Sequence, residues 1–486
     1  MHKTATVLMA PAVLVASLAS CTVPDTSDLA PPSATAKPPG GYSLPPDPRI
    51  MPSQPSVALA NRSDIDLPTL IDIAETNNPA TRSAWKQAKA AASAVGLVDA
   101  AYVPRLSAEV LAGYQQSSAS ALQDPLGILP SGTVTTGVGV GAAVLSAQWL
   151  LFDFGLRDAA RKEAKELSFA ANAAFTGVHQ KLIFDVTTAY YDLWAATRRL
   201  QIQRSRASAA GTIAAAARAR RGQQLATVTD VAAAEQVVAQ AQFDMTRAQS
   251  ELAVSSTRLA SISGLSPRQP LSPAFPKTLQ LPNQIPTQLD AYIADAIQRR
   301  PDLQVAFARA RAREVHIAAV KAQFAPKIVG SGVVGRRTVW GKIEDSRFGS
   351  VEADDERPVA GVFVGLSVPL WSGGAMQQRI AAAESEHDAA VADAEALRNL
   401  AEGEIVTAYE TLRSSLSANM AAHRLIGTTA TGAQAAKARY DQGLATVADV
   451  SLAQRALYDA QISEVEAQYS AMTSAAALAF ASGQIR

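Results

Sequence analysis

The chain contains the same text twice. The stretch NNPATRSAWKQAKAAASAVGLVDAAYVPRL returns later as RRPDLQVAFARARAREVHIAAVKAQFAPKI. Pro79 pairs with Pro301 and Pro104 with Pro326, both 222 residues apart. Further on, Thr188-Ala189-Tyr190 pairs with Thr407-Ala408-Tyr409 at a spacing of 219. Leu225-Ala226-Thr227-Val228-x-Asp230-Val231 pairs with Leu444-Ala445-Thr446-Val447-x-Asp449-Val450 at the same 219. A duplication of this length restricts the fold to two copies of one supersecondary plan. The register slips by three residues, and only between Pro104 and Tyr190, where surface loops vary most.

Each copy has three parts. A helix bracketed by proline comes first, over 79–104 and 301–326. A Gly-, Thr- and Val-rich stretch with period-two patterning follows. In Arg105 to Tyr114, the residues Leu106, Ala108, Val110, Ala112 and Tyr114 share one face. In Val359 to Leu370, the face of Val362, Val364, Leu366, Val368 and Leu370 lies opposite Gly361, Gly365 and Ser367. Val134 to Val144 alternates against Thr135, Gly137, Gly139 and Gly141, with the valines expected on the apolar face. Segments of about ten residues, apolar outward and small or polar inward, are the pattern of a transmembrane barrel strand; a soluble hairpin gives nearly the same pattern. Four strands cannot close a barrel alone, so either the strands avoid lipid or several chains close one barrel.

The third part is a long proline-free helical region, from Phe154 to Ser266 and from Trp371 to the C-terminus. Were Phe154 to Gly222 one helix, it would be roughly 100 Å long at 1.5 Å per residue. Val231, Val238, Met245, Leu252 and Leu259 form a heptad row beside Ala234, Ala241, Ala248, Ser255 and Ile262. That is a coiled-coil seam whose small row permits close backbones. Each Leu-Ala-Thr-Val-x-Asp-Val segment is expected to be a tip where one long helix turns back into another. Asp230 and Asp449 would cap the returning helices.

The N-terminus carries a targeting signature. Lys3 precedes an apolar run from Ala5 to Leu18, as in a secretory signal peptide, and the run is too short for a stable anchor. Leu18-Ala19-Ser20-Cys21 resembles a lipobox, which makes Cys21 the expected lipid-carrying mature N-terminus. Thr22 fits the outer-membrane pattern of lipoproteins. Residues 23–60 are rich in Pro, Ser and Ala and read as an extended linker. Cys21 is the only cysteine, so no internal disulfide or Cys/His zinc cluster is available. Lys and Arg number 44 against 43 Asp and Glu, a balance that points away from nucleic acid.

With the repeat, the strands and the tips together, residues 60 to 482 resemble the outer-membrane efflux factor family (TolC/OprM-like). The lipobox and Arg300-Pro301-Asp302-Leu303 are similar to its NodT-type lipoprotein branch. The resemblance implies an α+β membrane protein: long coiled-coil helices plus four β-strands per chain, with a homotrimer forming a twelve-stranded barrel and a periplasmic helical tunnel. It implies a mixed equatorial domain drawn from 60–78, 266–300 and the C-terminus. It implies docking on a periplasmic adaptor and an inner-membrane pump. The adaptor-contact tips would be Leu225, Ala226 and Thr227, with Gln224 where glycine is usual, and Gly443, Leu444, Ala445 and Thr446. The periplasmic gate would draw on Tyr440, Asp449 and Asp230. Ala445 replaces the usual basic partner and Leu452 a second aspartate, so no locking salt bridge carries over there.

The expected organisation is thus a signal peptide (1–20), a lipidated linker (21–60), a first repeat (61–265), an inter-repeat segment (266–300) and a second repeat (301–486). No cofactor is implied beyond the covalent lipid. No nucleophile elbow, phosphate loop or metal cluster is written in the chain, and an enzyme is not expected. The expected function is a passive outer-membrane exit duct for small toxic compounds. Two alternatives stand: a periplasmic coiled-coil tether, or the same duct serving type I protein secretion.

Overall fold

The computed structural model describes residues 47–51, 65–120, 132–268, 271, 273–276, 279–282, 285–346 and 349–485. Cys21, the signal peptide and most of the linker lie outside them. In chain order the elements are α1 (Leu67–Asn77), α2 (Pro79–Ala100), β1 (Arg105–Ser120), β2 (Thr133–Phe152), α3 (Leu156–Gly222) and α4 (Val228–Ile262). The second copy repeats them as α5 (Leu289–Arg299), α6 (Pro301–Gln323), β3 (Lys327–Asp345), β4 (Gly349–Ser367), α7 (Ala375–Asp441) and α8 (Val447–Ala481). The proline-led helices end at Ala100 and Gln323, a few residues before Pro104 and Pro326, because a residue before proline disfavours the helical region. β1 and β3 begin 222 residues apart and α3 and α7 begin 219 apart, so the slip falls within the strand hairpins.

The chain divides into two compact units. One holds Val98–Arg157 and Lys321–Met376 and contains the sheet. Its order is β1-β2-β3-β4, antiparallel throughout, which leaves β1 and β4 as edges. The strands run to 16–20 residues, longer than the expected ten, because the polar segments beyond the apolar stretches continue the ladders. β4 accordingly begins at Gly349 rather than Val359 and ends at Ser367, so Val368 and Leu370 lie past the strand.

The other unit holds the described residues of Pro52–Leu97, Asp158–Val320 and Gln377–Arg486. α3 and α7 each run 67 residues, roughly 100 Å at the α-helical rise. The small row expected on α4 is its buried row: Ala234, Ala241, Ala248 and Ser255 are all buried. α3 answers with Ala189, Ala196, Gln203, Ala210 and Ala217, also seven apart. Small residues at every seventh position let the helices approach closely. Ser255 donates to Asp192 Oδ2 of α3 at 2.9 Å.

Midway along α3, Leu182, Val186, Ala189, Tyr190 and Leu193 pack with Ile65, Leu70 and Ala74 and with Leu259 and Leu265. The second copy builds the same core from Ala296, Ile405, Leu412, Leu478 and Ala481. The matched tyrosines do matched work. Tyr190 donates to the carbonyl of Ala274 at 2.7 Å, and Tyr409 to that of Pro286 at 3.1 Å. Burial pushes the Tyr190 hydroxyl up to about 12.

A second matched feature closes the far ends of α4 and α8. Both helices end in a Schellman turn, with Gly264 (φ +69°) and Gly483 (φ +66°) in the left-handed region. Leu265 N–H bonds the Ala260 carbonyl and Gln484 N–H that of Ala479, both at 2.9 Å. The corner before each helix-starting proline then supplies a donor. Asn78 Nδ2 reaches the Ile262 carbonyl at 2.9 Å, and Arg300 Nη1 reaches the equivalent Ala481 carbonyl at 3.1 Å. Orphan carbonyls at a helix end are thereby satisfied.

Candidate functional site: two helix tips and a two-faced sheet

The tips are built the same way twice. α3 ends in a Schellman turn in which Leu225 N–H bonds the Arg220 carbonyl (2.9 Å) and Gln224 N–H that of Arg221 (2.9 Å). At the end of α7, Leu444 N–H bonds the Arg439 carbonyl (2.8 Å) and Gly443 N–H that of Tyr440 (3.0 Å). The left-handed residue is Gly443 (φ +77°) in one tip and Gln224 (φ +62°) in the other. So Gln224 holds the glycine geometry without being glycine, at a cost of about 1–2 kcal/mol. Gln224→Gly is expected to firm the first tip by about 0.5–1 kcal/mol after the flexibility of glycine is offset. Slower exchange of the Leu225 amide would show it; unchanged or faster exchange would refute it.

The returning helices start with reciprocal capping boxes. Thr227 N–H donates to Asp230 Oδ2 at 2.8 Å, and Asp230 N–H to Thr227 Oγ1 at 3.2 Å. Thr446 and Asp449 repeat both bonds at the same 2.8 and 3.2 Å. Backbone N–H donation, reinforced by the threonine hydroxyl, holds both carboxyls below the usual range. A depressed folded pKa gives stabilisation that is complete above the ordinary carboxylate pKa of about 4 and lost as pH falls through the folded value. Amides of Thr227 and Thr446 should therefore exchange faster relative to the coiled-coil interior once pH drops below about 4. Parallel behaviour of tip and interior would contradict the assignment.

Tyr440 is buried in a cluster of Ala214, Ala217, Val231, Ala234, Val447 and Val450. Its hydroxyl has no hydrogen-bond partner among the described residues. Arg220, which sequence reasoning missed, spans the two tips. Its guanidinium lies 4.0 Å from the centre of the Tyr440 ring, and its Nη2 donates to the Tyr440 carbonyl at 3.0 Å. The available signal was that Arg220 and Arg439 occupy matched places at helix C-termini, where cations are favoured. The tips bring Tyr440 to Arg220. Among the described residues no hydrogen bond joins Tyr440 to Asp230 or Asp449, each of which bonds within its own cap. Leu225 and Leu444 are exposed at the two matched positions, as is Leu452, and Ala445 packs against the cluster.

The sheet has two unlike faces, read from the register. On the first lie Leu106, Ala108, Val110, Ala112 and Tyr114 of β1, Leu145 and Trp149 of β2, Ile328 and Val334 of β3, and Val362, Val364 and Leu366 of β4. Gly137, Gly139 and Gly141 also lie on this face, so β2 reverses the expected placement of its glycines and turns Val138, Val140 and Val144 the other way. The reason is steric. A Cβ on Gly139 would sit 2.0 Å from the Trp340 ring, and one on Gly137 2.2 Å from the Tyr114 hydroxyl. The glycines make room for aromatic rings from both neighbouring strands.

The apolar band on this face is oblique. Register places Tyr114, Gly139, Trp340 and Asp354 on one line across the strands. On β1 the apolar run continues to Tyr114, but on β4 it stops at Ala360, about six residues short of that line. Six residues are ~20 Å along a strand, against ~14 Å for three strand spacings. The strands thus cross the band at roughly 50°, somewhat steeper than the 35–45° usual for membrane barrels. No charged side chain falls within the band on this face, whereas the other face carries Arg105, Glu109 and Lys327 at the same heights.

The pattern of the outer membrane efflux protein family matches residues 70–265 and 292–484. The chain belongs to the outer membrane efflux protein family. It is 26% identical to Protein CyaE of Bordetella pertussis over 428 residues, covering 87% of this chain and 85% of that protein. It is likewise 26% identical to outer membrane protein OprJ of Pseudomonas aeruginosa over 400 residues, covering 78% and 76%. The fold matches the crystal structure of the outer membrane protein VceC of Vibrio cholerae with a TM-score of 0.65 at 21% identity, over 88% of this chain and 99% of that one. Members of this outer membrane efflux family are channel proteins, in accord with an α+β chain of long helices and four strands. Among the described residues no helix is long and apolar enough to cross a membrane.

Proposed function

We propose that the chain is the outer-membrane exit duct of a tripartite export system, working as a homotrimer with a periplasmic adaptor and an inner-membrane pump. The oblique apolar band on an open-edged sheet carries this reading. About ten residues of each strand fall within the band, ~33 Å of strand, or roughly 20 Å along the normal at that inclination. That approaches the ~25 Å apolar band of outer-membrane barrels, and Tyr114 on one border with Trp149 and Phe152 on the other supply aromatic girdle residues. The edges β1 and β4 cannot stay open in lipid. Two chains would give eight strands, whose interior side chains fill; three give twelve, the smallest number that leaves a passage. Cys21 carries the lipid anchor.

The tips face the adaptor through Leu225, Ala226 and Thr227 and through Gly443, Leu444, Ala445 and Thr446. Tyr440, Asp230 and Asp449 form the periplasmic gate, with Arg220 clasping one tip to the other. The cargo is small toxic compounds handed on by the pump. Cells whose only copy is Leu225→Glu/Leu444→Glu should retain a preloaded fluorescent pump substrate as strongly as cells lacking the chain, with the variant still present in the outer membrane. Efflux at the wild-type rate would remove the tips from the docking role.

A further inference from the structure

The face of the sheet opposite the apolar band carries a charge pattern that barrel formation does not require. Arg105 and Lys327 are the first residues of β1 and β3 and lie on this face, opposite Gln148 and Ser367. They hold matched places in the two repeats, each directly after a proline and 222 residues apart. At mid-strand, Arg337 of β3 stands directly opposite Arg357 of β4. Like charges facing across a ladder destabilise it, so this pairing is a local conflict. Arg357 is held by Asp355 at 2.7 Å, while Arg337, Arg105 and Lys327 have no protein partner among the described residues. The acidic groups on the face are Glu109, Asp355 and Asp345. Glu109 is four residues, about 13 Å, along β1 from Arg105, too far to neutralise it by contact. The apolar side of the sheet shows the reverse balance beyond its band: Glu344, Glu352, Asp354 and Glu356 against Arg336 and Lys342. Alternation along β3 and β4 therefore sends the unpaired cations to one face and the acidic excess to the other.

We propose that this face makes the barrel segment anion-preferring, so that it favours cargo bearing carboxylate, sulfonate or phosphate groups. Arg105 and Lys327 form the tier at the starts of β1 and β3, and Arg337 and Arg357 the tier at mid-strand. The inference rests on the reading above, in which this face lines the passage. Three chains would set six cations around each tier, and rings of one sign between low-dielectric walls concentrate the opposite ion.

The test is the zero-current potential of the full-length protein in planar bilayers under a potassium chloride gradient at about 0.1 M, where screening is incomplete. Asp230 and Asp449 at the tips act equally in wild type and variants, so the barrel tiers are read as the difference between them. Arg105→Gln/Lys327→Gln and Arg337→Gln/Arg357→Gln should each lower the chloride-to-potassium permeability ratio at least about twofold. Should the second pair fail to assemble, the first, at the strand starts, carries the test. A conducting pore whose potential is the same in wild type and variants overturns this inference alone. A wild-type protein that opens no conducting path overturns the channel reading, and this inference with it.

Discussion

Gly483→Ala and Gly264→Ala should each destabilise the helical unit by roughly 2–5 kcal/mol. Two penalties combine. A non-glycine residue in the left-handed region costs about 1–2 kcal/mol, and overpacking a filled site costs about 1–3 more. A Cβ on Gly483 would lie 2.8 Å from the Arg299 carbonyl oxygen, and one on Gly264 2.9 Å from the backbone of Asn77 and Asn78. Backbone cannot swing aside as a side chain can. Gly443→Ala is the control. It shares the positive φ but has open space around the new methyl, so it carries only the first penalty. Denaturation midpoints of the three variants in one detergent separate the effects. If Gly483→Ala were no worse than Gly443→Ala, the close approach of the helix end to the α5–α6 corner would be wrong.

Arg300→Ala is the second large effect, expected at about 3 kcal/mol. Arg300 is 8% exposed. It donates to Asp302 Oδ2 at 2.6 Å, to Glu404 Oε2 at 2.7 Å and to the last carbonyl of α8. Breaking a buried pair costs about 3–5 kcal/mol, and the half-exposed carboxylates place this case at the low end. Arg300→Lys should recover only part, because one ammonium cannot reproduce the guanidinium fork toward three acceptors. The first-repeat counterpart, Asn78→Ala, loses two neutral bonds, the donation to Ile262 and the acceptance from the Ala80 N–H at 2.8 Å, and should cost about 1–2 kcal/mol. A lysine variant as stable as wild type would show that charge alone, and not the fork, holds the corner.

Much of this was legible in the sequence because the repeat makes each feature appear twice. The heptad of Ala234, Ala241, Ala248 and Ser255 identified the buried seam of α4, and Asp230 and Asp449 marked the helix starts, although the N-cap residues are Thr227 and Thr446 and the aspartates close the capping boxes from the third helical position. The faces of β1 and β4 followed from period two. β2 did not, since its glycines give no apolar signal of their own and their placement is decided by Tyr114 and Trp340 on neighbouring strands. Strand lengths were underestimated for a related reason: hydrophobic alternation stops at Pro358 and Arg336, but backbone pairing continues through charged residues. Arg220 escaped notice because its partner is 220 residues away, beyond any local pattern. Gln224 stood out as a departure from glycine, and only the backbone shows that it keeps the glycine conformation.

The central claim is that the unpaired edges of β1 and β4 are closed by other copies of the same chain. Native mass spectrometry of the full-length protein, extracted from outer membranes in detergent, tests it most directly. The expected result is a complex of three chains, each beginning at Cys21 and carrying acyl mass. A single chain, or a pair, would leave the sheet edges open or the barrel filled, and would contradict the shared passage.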